Sequence, residues 1–133
     1  MKKKIVVLIS GRGSNLQSIV TNSLNDDFPG EVSLVISDNK DALGLNIAIK
    51  NNIPYHIVER KKFDTNEAFE ECISEHINQH DTSLICLAGF MKILSKKFVT
   101  LFKDKIINIH PSLLPKYKGL NTHQRVLKSK DEI

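Results

Sequence analysis

The sequence predicts an α/β fold, a doubly wound and mostly parallel sheet covered by helices on both faces. Five short apolar runs rich in β-branched residues recur along the 133 residues, as expected of strands buried on both faces of a parallel sheet. Between them, apolar residues repeat at helical spacing, which gives a βαβ order whose right-handed crossovers place helices on both sides. No internal repeat, linker or biased segment interrupts this order, and a 41% apolar composition is enough for one substantial core, so residues 1–133 are expected to form a single domain.

The first strand is expected over Ile5 to Ile9. Met1-Lys2-Lys3-Lys4 leads straight into it, and the run is shorter than the apolar region of a signal peptide and has no small-residue cleavage site. No apolar stretch approaches the roughly 18 residues of a membrane span, so a cytoplasmic protein with no membrane partner is expected. A helix follows, with Leu16, Ile19, Val20 and Leu24 on one stripe. The second strand is Val32 to Ile36 and the second helix about Ala42 to Asn51. His56 to Val58 makes a third strand, and Phe69, Cys72, Ile73, His76, Ile77 and His80 mark a long amphipathic helix. Leu84 to Ala88 is the fourth strand, Ser95 to Phe102 a short helix capped by Ser95, Ile106 to Ile109 the fifth strand, and Thr122 to Ser129 a last helix.

The net charge of +4 would suit an anionic partner, but the nineteen Lys and Arg residues are scattered, with no basic run longer than Lys2 to Lys4. That pattern argues for a solvated surface rather than a nucleic-acid stripe and leaves phosphate-bearing small molecules compatible. Cys72 on a helical stripe and Cys86 in a strand-like run have no C-x-x-C pairing and read as reduced core residues. His56, His76, His80 and His123 have no polar partner nearby in sequence; two of them lie on a helix and read as surface or satisfied core positions, and no metal is expected.

Three segments carry chemistry. In Ser10-Gly11-Arg12-Gly13-Ser14-Asn15-Leu16, two glycines allow close backbone approach, and Ser14 with Gln17 fits a capping box. The loop is either a phosphate cradle at a helix start or a tight turn with no ligand, and Leu16 replaces the third glycine of a dinucleotide fingerprint. Asp38 could hold a ribose, or serve only as a turn and cap residue. After the fourth strand, Ala88-Gly89-Phe90-Met91-Lys92-Ile93-Leu94-Ser95 could line a pocket for a flat heteroaromatic ligand or simply pack at a helix entrance. The commonest strand order reverses direction between the first and fourth strands, which puts this loop and the glycine loop beside one crevice.

The third segment ends the fifth strand. Asn108 and His110 share a face because side chains alternate with period two, and Pro111 and Pro115 end the strand there. A lone histidine beside prolines is often structural. Paired with an amide, it suits acyl transfer to an amine, with Asn108 donating to the oxyanion and His110 moving the proton.

Gly11-x-Gly13-Ser14-Asn15-Leu16-x-x-Ile19, Leu87-Ala88-Gly89-Phe90-Met91-Lys92-Ile93-Leu94, and Asn108-Ile109-His110-Pro111-Ser112-Leu113-Leu114-Pro115-Lys116-Tyr117-x-Gly119 followed by Thr122-His123 together resemble the folate-dependent formyltransferases, and among them the phosphoribosylglycinamide formyltransferases of purine biosynthesis. The resemblance implies a Rossmann-like formyltransferase fold and transfer of a formyl group from 10-formyltetrahydrofolate, as co-substrate, to the amine of phosphoribosylglycinamide. It further implies that Gly11, Arg12, Gly13, Ser14 and Asn15 hold the substrate phosphate, that Met91, Lys92, Ile93, Leu94 and Asn108 bind the folate, and that Asn108 and His110 are the catalytic pair. A homodimer is left open.

Two features depart from the family pattern. Its His-Gly-x-Ser/Thr-x-His segment and the Asp-x-Gly turn whose carboxylate partners the histidine lie past Ile133, so the chain reads as the nucleotide-binding half, truncated at the carboxyl end and inactive alone. Asn66 stands where the family has an arginine near the folate. Alternatives are a formyltetrahydrofolate hydrolase, a methionyl-tRNA formyltransferase, or a non-catalytic nucleotide-binding module.

Overall fold

Alternation of buried side chains along one central strand organises the molecule. In the computed structural model, which describes residues 2–92 and 94–108, strand β1 (Lys3–Ile9) directs Ile5, Val7 and Ile9 into one core and Val6 and Leu8 into another. Such two-sided burial requires cover on both faces. The first core is closed by Leu16, Ile19 and Val20 of helix α1 (Ser14–Ser23) and by Leu45 and Ala48 of α2 (Gly44–Lys50). The second is closed by Phe69, Ile73 and Ile77 of α3 (Asn66–Asn78) and by Phe98 of α4 (Lys96–Leu101).

The remaining strands are β2 (Gly30–Ser37), β3 (Tyr55–Ile57), β4 (Leu84–Leu87) and β5 (Ile106–Asn108). Their order is β3-β2-β1-β4-β5, every pairing is parallel, and the direction of progress reverses between β1 and β4. The fold class and the position of the reversal are as the sequence predicts. One irregularity lies between Ile5 and Val6, where the pairing skips Ser33, whose hydroxyl donates to the Ile5 carbonyl at 3.3 Å. The register then places Leu8, Leu87 and Asn108 in one row across the sheet.

Several local expectations are corrected. Ser14 does not cap α1: Gly13, at φ 82°, begins the helix and no side chain caps it, so Ser14 already lies inside the first turn. The Gln17 side chain therefore donates forward to Thr21 rather than back to the helix start. Leu24 lies just past the end of α1 and is 75% exposed, off the apolar stripe. Helix α3 stops at Asn78, so His80 follows it rather than belonging to it. Ser95 does cap α4, its hydroxyl accepting from the Phe98 amide at 3.2 Å. Ile93, Ile109, His110 and the helix expected over Thr122 to Ser129 lie outside the described residues.

Candidate active site

The carboxyl ends of β1, β2 and β4 meet where the sheet reverses, the place at which open α/β sheets bind ligands. Ser10, directly after β1, is the hub. Its hydroxyl accepts from the Met91 amide at 2.8 Å and its carbonyl accepts from the Asn39 side chain at 3.2 Å, so the loops after β1, β2 and β4 are tied together. Between them lies a cleft of about 380 Å³, bordered by Ser10, Asp38 and Met91 and by the cations Arg60, Lys61 and Lys92. Glu59, buried at the same cleft, pairs with Lys62 at 3.3 Å and with Lys61 at 3.9 Å, so Arg60 and Lys92 are the rim cations outside these pairs, with the Asp38 carboxylate facing them.

The glycine loop enters this crevice from β1. Gly11, Arg12 and Ser14 are exposed, whereas Gly13 and Asn15 are buried. The first turn of α1 presents amides that its own carbonyls cannot satisfy, with the first helical bond running from the Gln17 amide to the Gly13 carbonyl at 2.8 Å. The two glycines differ in role. A Cβ on Gly13 would lie 2.5 Å from Gly44 Cα, while one on Gly11 would meet nothing within 4 Å. Gly13 thus serves the close docking of the loop on α2, reinforced by the Gly44 amide donating to the Gly11 carbonyl at 3.0 Å. A β-branched residue at position 13 would therefore disturb folding as well as the loop. Gly11 is the position where backbone access alone can be tested.

On the other side, the segment after β4 turns at Gly89, at φ 74°. Phe90 and Leu94 rest against the second core, while Met91 stands 79% exposed and Lys92 is exposed too. Asn108 closes β5 beside β4, opposite Leu87, and is exposed. Because Ile107 enters the first core and Ile106 packs on the second, alternation puts Asn108 on the second face, which also carries Phe90 and Leu94. His110 lies outside the described residues.

Asp38, directly after β2, has a buried Oδ1 with no hydrogen-bond partner among the described residues. Asn66, exposed at the start of α3, donates to Glu70 Oε2 at 3.1 Å. Away from the crevice, sequence reasoning missed a histidine cluster. His56 of β3 stacks on His76 of α3 with ring centroids 3.8 Å apart, and His80 meets His56 edge-on at 6.3 Å. His76 has a buried Nδ1 with no hydrogen-bond partner among the described residues. The i, i+4 spacing of His76 and His80 was the available signal; their meeting with His56 depends on packing. Among the described residues no group of three His, Cys, Asp or Glu is placed to hold a metal, and no helix is long and apolar enough to cross a membrane.

Comparison with known proteins bears on this arrangement. The family described as formyl transferase matches residues 3–133. Phosphoribosylglycinamide formyltransferase of Haemophilus influenzae is 47% identical over 129 residues, covering 97% of this chain and 61% of that protein. The Escherichia coli protein of that name is 44% identical over 128 residues, covering 96% and 60%. The chain thus spans about three fifths of the length of these curated relatives. The crystal structure of phosphoribosylglycinamide formyltransferase from Brucella melitensis superimposes with a TM-score of 0.81 at 38% identity, covering 98% of this chain and 68% of that one. With the glycine loop, the Met91 loop and Asn108 at one end of the sheet and the family match running from β1 onward, the chain belongs to the formyl transferase family.

Proposed function

We propose that this protein transfers a formyl group from 10-formyltetrahydrofolate to the amine of phosphoribosylglycinamide, a step of purine biosynthesis carried out in the cytoplasm. The observation that carries the reading is the convergence of two loops and one amide: the glycine loop and the Met91 loop flank the crevice between β1 and β4, and Asn108 ends the next strand on the same side. The glycine loop takes the phosphate through exposed backbone at Gly11, Arg12 and Ser14, with Asn15 beneath it. Met91, Lys92 and Leu94, with Ile93 between them, form the wall for the folate's flat ring.

The substrate amine attacks the formyl carbon, a carbon–nitrogen bond forms, and the carbonyl electrons move onto oxygen. Asn108 donates to that oxyanion. Collapse of the tetrahedral intermediate breaks the bond to the folate nitrogen, which leaves with a proton delivered by protonated His110, and the surplus proton of the attacking nitrogen passes back to the neutral imidazole. Loss of an oxyanion donor costs about 10² to 10³ in turnover and loss of a general acid about 10² to 10⁴. In a version of the protein extended by the family's downstream segment, Asn108→Ala and His110→Ala are therefore expected to lose turnover by these factors in an absorbance assay of folate turnover, with phosphoribosylglycinamide affinity preserved. Near wild-type turnover in either variant would remove that residue from the mechanism.

A further inference from the structure

A carboxylate with no place in the mechanism sits beneath the folate wall. Glu70, on the buried face of α3, is only 6% exposed. Burying a charge there is costly unless its oxygens are fully used. They are: Oε2 accepts from the Ser95 amide at 2.7 Å and from Asn66 Nδ2 at 3.1 Å, and Oε1 accepts from the Ser95 hydroxyl. Two of these three bonds hold one residue, Ser95, from another element.

Ser95 is where the segment after β4 ends and α4 begins. The same segment is held near its start by Ser10, which accepts from the Met91 amide. Met91, Lys92 and Leu94 thus lie between two tethers, one from the carboxyl end of β1 and one from α3. Leu94 also packs on the second core, whereas among the described residues neither Met91 nor Lys92 has a side-chain hydrogen bond or ion pair of its own, so these two are held through the backbone tethers on either side. A pocket wall fixed before its ligand arrives spares the ligand the cost of ordering it.

We infer that Glu70 is a positioning residue for the folate pocket, acting through Ser95 to fix Met91, Lys92 and Leu94. The inference rests on the assignment of that wall to folate. Charge on Glu70 matters less than acceptor geometry: an amide oxygen in the place of Oε2 can still take the Ser95 and Asn66 N–H groups, while an apolar side chain of similar size takes none.

Glu70→Met and Glu70→Gln separate these cases. In Glu70→Met, affinity for 10-formyltetrahydrofolate, measured by calorimetric titration, is expected to fall about tenfold, the loss of roughly one hydrogen bond to a charged group. Affinity for phosphoribosylglycinamide is expected to stay unchanged, since the glycine loop does not lean on Glu70. Glu70→Gln is expected to recover most of the folate affinity. Hydrogen exchange at the Ser95 and Met91 amides gives a ligand-free reading: faster exchange in Glu70→Met is expected at Ser95 and, to a smaller degree, at Met91. Unchanged exchange, or an equal loss of both ligands, would overturn the positioning role. Faster exchange with unchanged folate affinity would instead overturn the assignment of the wall to folate. Should Glu70→Met fail to fold, Ser95→Ala removes the hydroxyl partner and is read by the same titrations.

Discussion

Gly11 and Gly13 are two residues apart and look interchangeable in the sequence, but they do different work. Gly13 combines a left-handed backbone with a 2.5 Å approach of its would-be Cβ to Gly44 Cα, whereas Gly11 has open space. A left-handed conformation costs a non-glycine residue roughly 1 to 2 kcal/mol before any clash. Gly13→Val is therefore expected to lower the melting temperature by at least about 4 °C. Gly11→Val is expected to leave it unchanged and to weaken phosphoribosylglycinamide binding about tenfold by keeping the ligand off the backbone. Thermal melts and titrations of the two variants decide the point; full affinity in Gly11→Val would detach the loop from phosphate. The sequence made the glycines visible as a motif because their spacing is local. It could not separate their roles, because Gly44, which divides them, is thirty-one positions away from Gly13 along the chain.

Elements were legible where their signal is short-ranged. Ser95 as the cap of α4, the apolar stripe of α3 and the five strands could all be read from spacing, and the structure has them within a few residues of the expected bounds. The start of α1 could not. Its capping-box pattern was overruled by a glycine whose backbone begins the helix one residue earlier, a conformational choice that side-chain patterns do not encode. Burial by element also sets thiol chemistry. Cys86, enclosed in β4 on both sides, has its thiol pushed up to about 12 by burial. Cys72, half-buried on the flank of α3, is raised by burial and then by Glu75. With a thiol-specific chromogenic reagent at pH 8, the native protein is expected to leave Cys86 unreacted and to modify Cys72 slowly, while both react at once in denaturant. Prompt labelling of Cys86 in the folded protein would contradict a β4 buried on both faces.

At the scale of the whole molecule, the alternating pattern implies a doubly wound sheet, and the observed order β3-β2-β1-β4-β5 has the reversal between first and fourth strands of the commonest such order, which places the crevice. The histidine cluster does not follow, since it forms only when β3 and α3 pack. His56 is pushed below its ordinary value by burial and then by the neighbouring His76 and His80. A histidine with a lowered folded pKa takes up its proton more readily in the unfolded chain, so its contribution to stability is complete above about pH 6.5 and is lost as the pH falls below that. The melting temperature is expected to drop between pH 7.5 and 5.5, and to drop less in His56→Asn. Parallel melting curves for the two proteins across that range would exclude the cluster as the cause.

The centre of the sheet also dictates a folding order. β1 finds β2 across a short crossover, but its other edge waits for β4, where Ile5 meets Leu84 and Leu8 meets Leu87. Closing so long a stretch of chain costs entropy before any contact repays it, and parallel pairings of this kind form slowly. During that interval the most apolar strand has one edge of unpaired amides and carbonyls, a template for another copy in the same state. The crevice that would take the ligands opens between those same two strands. It can exist only after this slowest pairing is made, so binding competence should appear together with the last kinetic phase of folding and not before it.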